Sequence, residues 1–242
     1  MQDISLTEVL GQAFEFHASS MYTAIPCVVI GVHSNLSSAK VDVQPSVNDL
    51  YADSVSVEHA PILSVPVIFP SSKTSALTFP VNVGDTVLCV FSQRGMDNFK
   101  LGDGSPTAPS DFRKFDKRDA VAIPGLFPFS KSPNDSGNRK LPHSTTDMVM
   151  AHNLGGNEVE VRLKANGDVL IKSPTTVTVE CKDAVVNSDT ATLTVPDTTW
   201  TGDMTFNGNI TQNGIFVLDG INMNTHIHGG VATGPSKTSI PE

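Results

Sequence analysis

Aromatic side chains make up only 6% of this sequence, with a single tryptophan in 242 residues. With a mean hydropathy of -0.04, such a chain suits thin, β-rich structure better than one bulky core. Cysteine is scarce as well. Cys27, Cys89 and Cys181 are the only three, odd in number, far apart and without a CxxC pair. That excludes a disulfide framework, and all three are expected as buried free thiols in a chain made in a reducing compartment. Basic residues number 16 against 25 acidic ones, for a formal net charge of -9. This argues against binding a phosphate backbone as the main task.

Long apolar runs are missing too. The most apolar stretch, Ala24–Val32, is far shorter than a membrane span and contains Pro26. Met1-Gln2-Asp3 begins neither a basic nor an apolar leader, so no secretory signal and a soluble protein are expected. No GxSxG, HExxH or GxxxxGK[ST] occurs, and His143 and His152 flank a linker-like stretch where exposed side chains are the rule. The sequence therefore presents no convergent acid, base or nucleophile, and no enzyme is expected.

What is present comes in two textures. Residues 1–20 are read as a helical arm. Over Ser5–His17, Leu6, Val9, Leu10, Ala13 and Phe14 fall at helical spacing, and Ser5 with Glu8 has the form of a capping box. An amphipathic helix packed on its own domain is expected there. Residues 21–130 then carry short strands. Ile25–Val32 is rich in β-branched residues, Lys40–Gln44 alternates around Val41 and Val43, and Ile62–Ile68 is broken by Pro66, which belongs at an edge or a bulge. Val83–Phe91 is a turn leading into a buried strand. Several short strands with one flanking helix fit a small Greek-key barrel of the OB type. OB barrels often bind nucleic acid, but a basic groove with interleaved aromatics is lacking, so none is expected here. Arg94, Lys100, Arg113, Lys114, Lys117 and Arg118 alternate with Asp97, Asp103, Asp111, Asp116 and Asp119 in what reads as a solvated, mixed-sign loop.

Residues 131–156, opening with the Ser/Pro/Asn/Gly-rich stretch that runs to His143, read as a linker. Beyond it, in residues 157–220, the beat is short and even. Val159, Val161 and Leu163 alternate with polar residues, as do Val177, Val179 and Cys181; Val185, Leu193, Val195, Met204, Phe206, Ile215 and Val217 continue the row. Asn166-Gly167, Ser173-Pro174, Pro196-Asp197, Asn207-Gly208, Asn213-Gly214 and Asp219-Gly220 punctuate it with turns. Each strand offers only a narrow apolar row, too little for one chain to close a core. Three chains wound about an axis, each supplying one wall of a slender prism, would close it and remove the free edges. A single-chain β-helix is the simpler alternative, but its coils need longer repeats.

The last stretch, residues 221–242, contains His226-Ile227-His228. In an extended strand the two imidazoles would point to one side, with Ile227 facing away. Taken alone, they are a pair of surface histidines, since a closed metal site usually takes four or more protein ligands. Threefold symmetry would turn the pair into two triangles of nitrogens, the geometry of an octahedron.

This order of parts resembles the central spike of contractile-tailed phage baseplates, the membrane-piercing needle beneath the tail tube. The residues that carry the likeness are Arg118–Pro128 at the barrel exit, the repetitive segment Glu158–Gly220, and Thr225-His226-Ile227-His228 followed by Gly229-Gly230 and Gly234-Pro235-Ser236. The resemblance implies an all-β chain with an N-terminal OB-like barrel and an intertwined trimeric β-helix needle. It implies a homotrimer in the virion, at the tail tip, made in the host cytoplasm. Tail hub or tube proteins would meet the barrel, and the bacterial outer membrane would be the mechanical target. It also implies that His226 and His228 of three chains hold one iron ion in the tip. Clustered neutral imidazoles match neither the tetrahedral habit of structural zinc nor the oxygen preference of Ca²⁺ and Mg²⁺; they suit Fe, Co or Ni, and availability favours iron. Many such tips have proline after the second histidine, where this chain has Gly229. Some relatives carry a lysozyme domain between barrel and needle, for which Ser130–His143 is too short.

Two rival readings differ in class. A cupin-like metalloenzyme also uses HxH, but the residues after the dyad are too few for a third ligand and a barrel to hold it. A trimeric β-helical fibre that binds surface glycans would need exposed aromatics, and the needle has only Trp200, Phe206 and Phe216, each expected in a core.

Overall fold

A computed structural model describes residues 5–35, 38–51, 54–135, 137–227 and 234. The chain divides into two units, residues 1–179 and 180–242. The first opens with α1, Leu6–Ser19, capped as its sequence predicts: the Ser5 side chain accepts the Glu8 N–H, and the Glu8 carboxylate accepts the Ser5 N–H at 2.8 Å. The expected packing of this helix on its own domain is corrected. Every residue from Ser5 to Ser20 is exposed, Leu6, Leu10, Phe14 and Phe16 among them. An apolar stripe shows that a helix wants a partner surface, not that its own chain supplies one.

Strands β1 (Ala24–Asn35), β2 (Ser38–Pro45), β3 (Asp49–Leu50), β4 (Ser56–Val57), β5 (Ile62–Pro66) and β6 (Thr86–Phe91) follow, then a short helix α2 (Asp97–Leu101) and β7 (Ala120–Pro124). Five of them make one antiparallel sheet in the order β5-β2-β1-β6-β7. The sheet curls into a half-barrel, and a parallel bridge between Val67 and Ala122 links the two edges. Period-2 alternation explains most of its core, and an irregularity in the β2–β5 register brings Ile62 and Val65 to the same side. Cys27 and Val29 of β1, Val41 and Val43 of β2, Ile62 and Val65 of β5, Val87, Cys89 and Phe91 of β6, and Ala120 and Ala122 of β7 all point inward. Each buried valine or isoleucine stabilises the fold by about 1.5–3 kcal/mol. Pro66 sits on an edge strand, where a missing N–H costs least. Between Val29 and Gly31 the β1–β2 register slips by a bulge. A Cβ at Gly31 would lie 3.1 Å from the Asp42 carboxylate, so any larger residue there would press that side chain aside.

The mixed-sign loop holds more order than its composition suggests. Asp119, with 0% of its surface exposed, accepts Arg113 Nε at 2.7 Å, an Arg113 Nη at 2.9 Å and the Met96 N–H at 2.8 Å. Arg113 also reaches Asp97 at 2.6 Å and Asp111 at 2.7 Å. Burial works to raise the Asp119 carboxyl, but the Arg113 and Met96 hydrogen bonds outweigh it and hold it below the usual carboxylate range. Expected as solvated, this segment is tied down because β7 begins at Ala120 and carries Asp119 under the sheet.

A second sheet follows, β8 (Met148–His152), β9 (Val159–Leu163) and β10 (Val169–Lys172), antiparallel in the order β10-β9-β8. From Ser173 to Phe216 the chain forms no strand, and every residue from Pro174 to Phe216 is exposed. Cys27 and Cys89 are buried thiols, but Cys181 is exposed, against expectation, because no described residue of its own chain covers that row. The second unit holds a small hairpin, β11 (Val217–Leu218) and β12 (Ile221–Asn222). Asp219 and Gly220 join its strands with φ of 50° and 77°, the paired positive φ of a type I′ turn, which Asp-Gly favours. Among the described residues no helix is long and apolar enough to cross a membrane.

Candidate functional site

The hairpin leads straight to the histidine motif. Past β12 the chain does not extend. The Thr225 and His226 N–H groups both donate to the Asn222 carbonyl, at 3.2 and 2.9 Å, so Asn222–His226 folds into a tight turn. Asn224 ties that turn back: its amide donates to the Gly214 carbonyl at 3.3 Å, and its side-chain oxygen accepts the Phe216 N–H at 3.4 Å. The extended strand expected from Asn224 onward is therefore corrected over Asn224–His226. Local hydrogen bonds from Asn side chains compete with extended backbone here.

His226 is exposed, and its Nδ1 lies 3.0 Å from the Met223 carbonyl. A carbonyl only accepts, so Nδ1 carries the proton, and in the neutral ring the lone pair falls on Nε2. Metal-bound histidines are commonly oriented in this way, one ring nitrogen donating to a backbone carbonyl while the other faces the ion. The chemistry of His226 thus fits a ligand. His228, the second residue of the pair, lies outside the described residues. Among the described residues of one chain, no three His, Cys, Asp or Glu side chains gather where they could hold a metal ion.

A feature that sequence reasoning missed lies in the second sheet. Glu158 and Glu160 are only 4% and 3% exposed, and Arg139, from the stretch read as linker, is buried beside them. One Arg139 Nη stands 2.6 Å from Glu158 Oε1 and 3.1 Å from Glu160 Oε2. Arg162 reaches Glu160 Oε1 at 2.6 Å. The Lys140 and Leu141 N–H groups donate to Glu158 Oε2 at 2.9 and 3.2 Å. Burial pushes the Glu158 carboxyl up, but those two N–H groups and Arg139 more than compensate and leave it below its ordinary range. Arg139 Nε and Arg162 Nε find no acceptor among the described residues. Two guanidinium and two carboxylate groups balance in charge, so the cluster reads as structural. The one signal in sequence was Glu158 and Glu160 at a two-residue spacing, which is equally the pattern of a solvated face.

Residues 25–125, a span of less than half the chain, match the family described as Phage protein Gp138 N-terminal domain. The match coincides with β1 through β7 and supports a phage structural protein, a component of the virion. No curated protein matches the chain.

Proposed function

We propose that this chain is the central spike of a contractile phage tail, a homotrimer that pierces the host outer membrane when the sheath contracts. The half-barrel sheet, with edges meeting in parallel at Val67 and Ala122, would be the OB-type collar that docks on tail hub or tube proteins. It would bind no nucleic acid and catalyse no reaction.

One observation carries the reading. From Val177 to Val217 the apolar row, including Val179, Val185, Leu193, Val195, Met204, Phe206 and Ile215, stands exposed along a segment that forms no strand within its own chain before Val217. Exposed apolar surface that extensive marks an interaction site. Three such rows wound together would bury one another and leave no free edge. The shaft would then act by stiffness, transmitting axial force, since a charge of -9 per chain would not by itself approach an anionic membrane. At the tip, His226 and His228 of three chains would hold one iron ion. The ion would tie the chain ends together, with no open position for chemistry.

Light scattering on the purified full chain should give three times 25.7 kDa; a monodisperse monomer would refute the spike. A glycan-binding trimeric fibre is the second reading. It is favoured by Trp200, 63% exposed rather than tucked in a core. Glycan binding that is lost in Trp200→Ala would select it.

A further inference from the structure

The sheet β8–β10 is built inside out. Its register sets Met148, Leu163 and Val169 side by side on one face, and Met150, Val161 and Ile171 beside them. On the opposite face lie Glu160, paired with both Arg139 and Arg162, and Arg162 itself, which also donates to the Leu141 carbonyl of the 139–141 segment. An antiparallel sheet with one solvated face normally turns its apolar residues inward and its charges to water. This one does the reverse: Met148, Val169 and Ile171 are 67%, 65% and 61% exposed. The buried ion cluster makes that orientation obligatory, because flipping the sheet by one residue would leave both carboxylates and both guanidinium groups without their partners.

We infer that this apolar face is a contact between copies of the chain, so that the trimer interface begins at Met148, before the needle. The inference rests on the trimeric reading above and adds the surface by which the copies meet at the top of the shaft. Continuity argues for a second copy over a foreign partner. The groove beside this face, about 450 Å³, has Leu77 of the same chain at its side and is lined by Met150, Val161 and Ile171 and also by Val177, where the exposed row starts. Area argues the same way. Two strands of five residues and one of four, about 4.8 Å apart at about 3.3 Å per residue, make a face of roughly 220 Å². A stable interface needs about 800 Å² from each partner. The face is too small to hold a partner alone and suffices only as the start of a longer contact, which the apolar row of the same chain supplies. Two methionines on it, unbranched and adaptable, suit a surface repeated around an axis.

Cysteine reactivity tests this without breaking the sheet. In a full-length Cys181→Ser background, which removes the exposed native thiol, Met150→Cys reports the face. Asn166→Cys, in the turn between β9 and β10, reports open solvent. The expected result is a trimeric mass with Met150→Cys reacting with a maleimide at least tenfold more slowly than Asn166→Cys. Equal rates in protein of trimeric mass would overturn this contact and leave the spike reading standing. A monomer with equal rates would overturn both, and a monomer with Met150→Cys protected would show the face covered by its own chain, also overturning the contact. As a second measure, Ile171→Lys should lower the temperature at which the trimer dissociates; no change would count against the contact.

Discussion

Arg139→Met is expected to loosen the second sheet without disturbing the first. The side chain bridges two carboxylates that are almost wholly buried, at 2.6 and 3.1 Å. Removing one partner of a buried ion pair costs about 3–5 kcal/mol, because the charge left behind is uncompensated. Two facts place this case at the lower end. Glu160 keeps Arg162 at 2.6 Å, and Glu158 keeps the Lys140 and Leu141 N–H groups. Methionine also replaces much of the lost stem. A loss of about 3 kcal/mol in local opening free energy corresponds to a more than hundredfold rise in amide exchange at fixed pH. Hydrogen exchange by mass spectrometry on peptides spanning residues 148–172 of the full chain would read it, with peptides of β6 as the internal control. The effect has a pH signature. In the wild type the Glu158 carboxyl titrates below its ordinary value. Its contribution is present above the unfolded pKa of about 4.3 and is lost as pH falls through the lower, folded value. In the variant, protonation of Glu158 removes the stranded charge. The gap between the two proteins should therefore be widest at neutral pH and narrow toward about pH 4. A change under threefold at pH 7, or a gap that widens on acidification, would refute the argument.

Other outcomes follow from the same geometry. Asp119→Ala should cost the barrel about 3 kcal/mol: the Met96 N–H loses its acceptor, and Arg113 loses its buried carboxylate while keeping Asp97 and Asp111; faster exchange in β6 and β7 would record it. Because the Asp119 carboxyl is held low in the fold, the wild-type advantage should be full above about pH 3.9 and fade below it. An Asp119→Ala barrel as stable as wild type at neutral pH would show the network to be ornamental. Replacing His226 and His228 with Ala should remove a metal measured at near one per three chains and speed exchange from Asn222 onward, with the trimeric mass unchanged. Metal at one per chain, or retained in the double variant, would return the pair to ordinary surface histidines.

Much of the first sheet was legible in the sequence, because a strand with one buried face writes its burial in period 2. Val41 and Val43 occupy the core as their alternation predicts, and Val87, Cys89 and Phe91 do so in a stretch expected as a buried strand. The capping box and the Asp219-Gly220 turn were equally readable, since each depends on bonds within a few residues, and Pro66 lies in an edge strand because it has no N–H to give a ladder. What alternation does not carry is its sign: a row of valines across from a row of charges looks the same whichever row is buried. At Glu158 and Glu160 only the fold decided, by bringing Arg139 from about twenty residues upstream to neutralise them. Folding likewise drew Asp119 and Arg113 out of a loop that composition marked as solvated, and it left α1 without cover in its own unit. Local order along the chain is determined by residues that are neighbours in sequence. Which face is inside depends on partners distant in sequence, and only the tertiary structure places them.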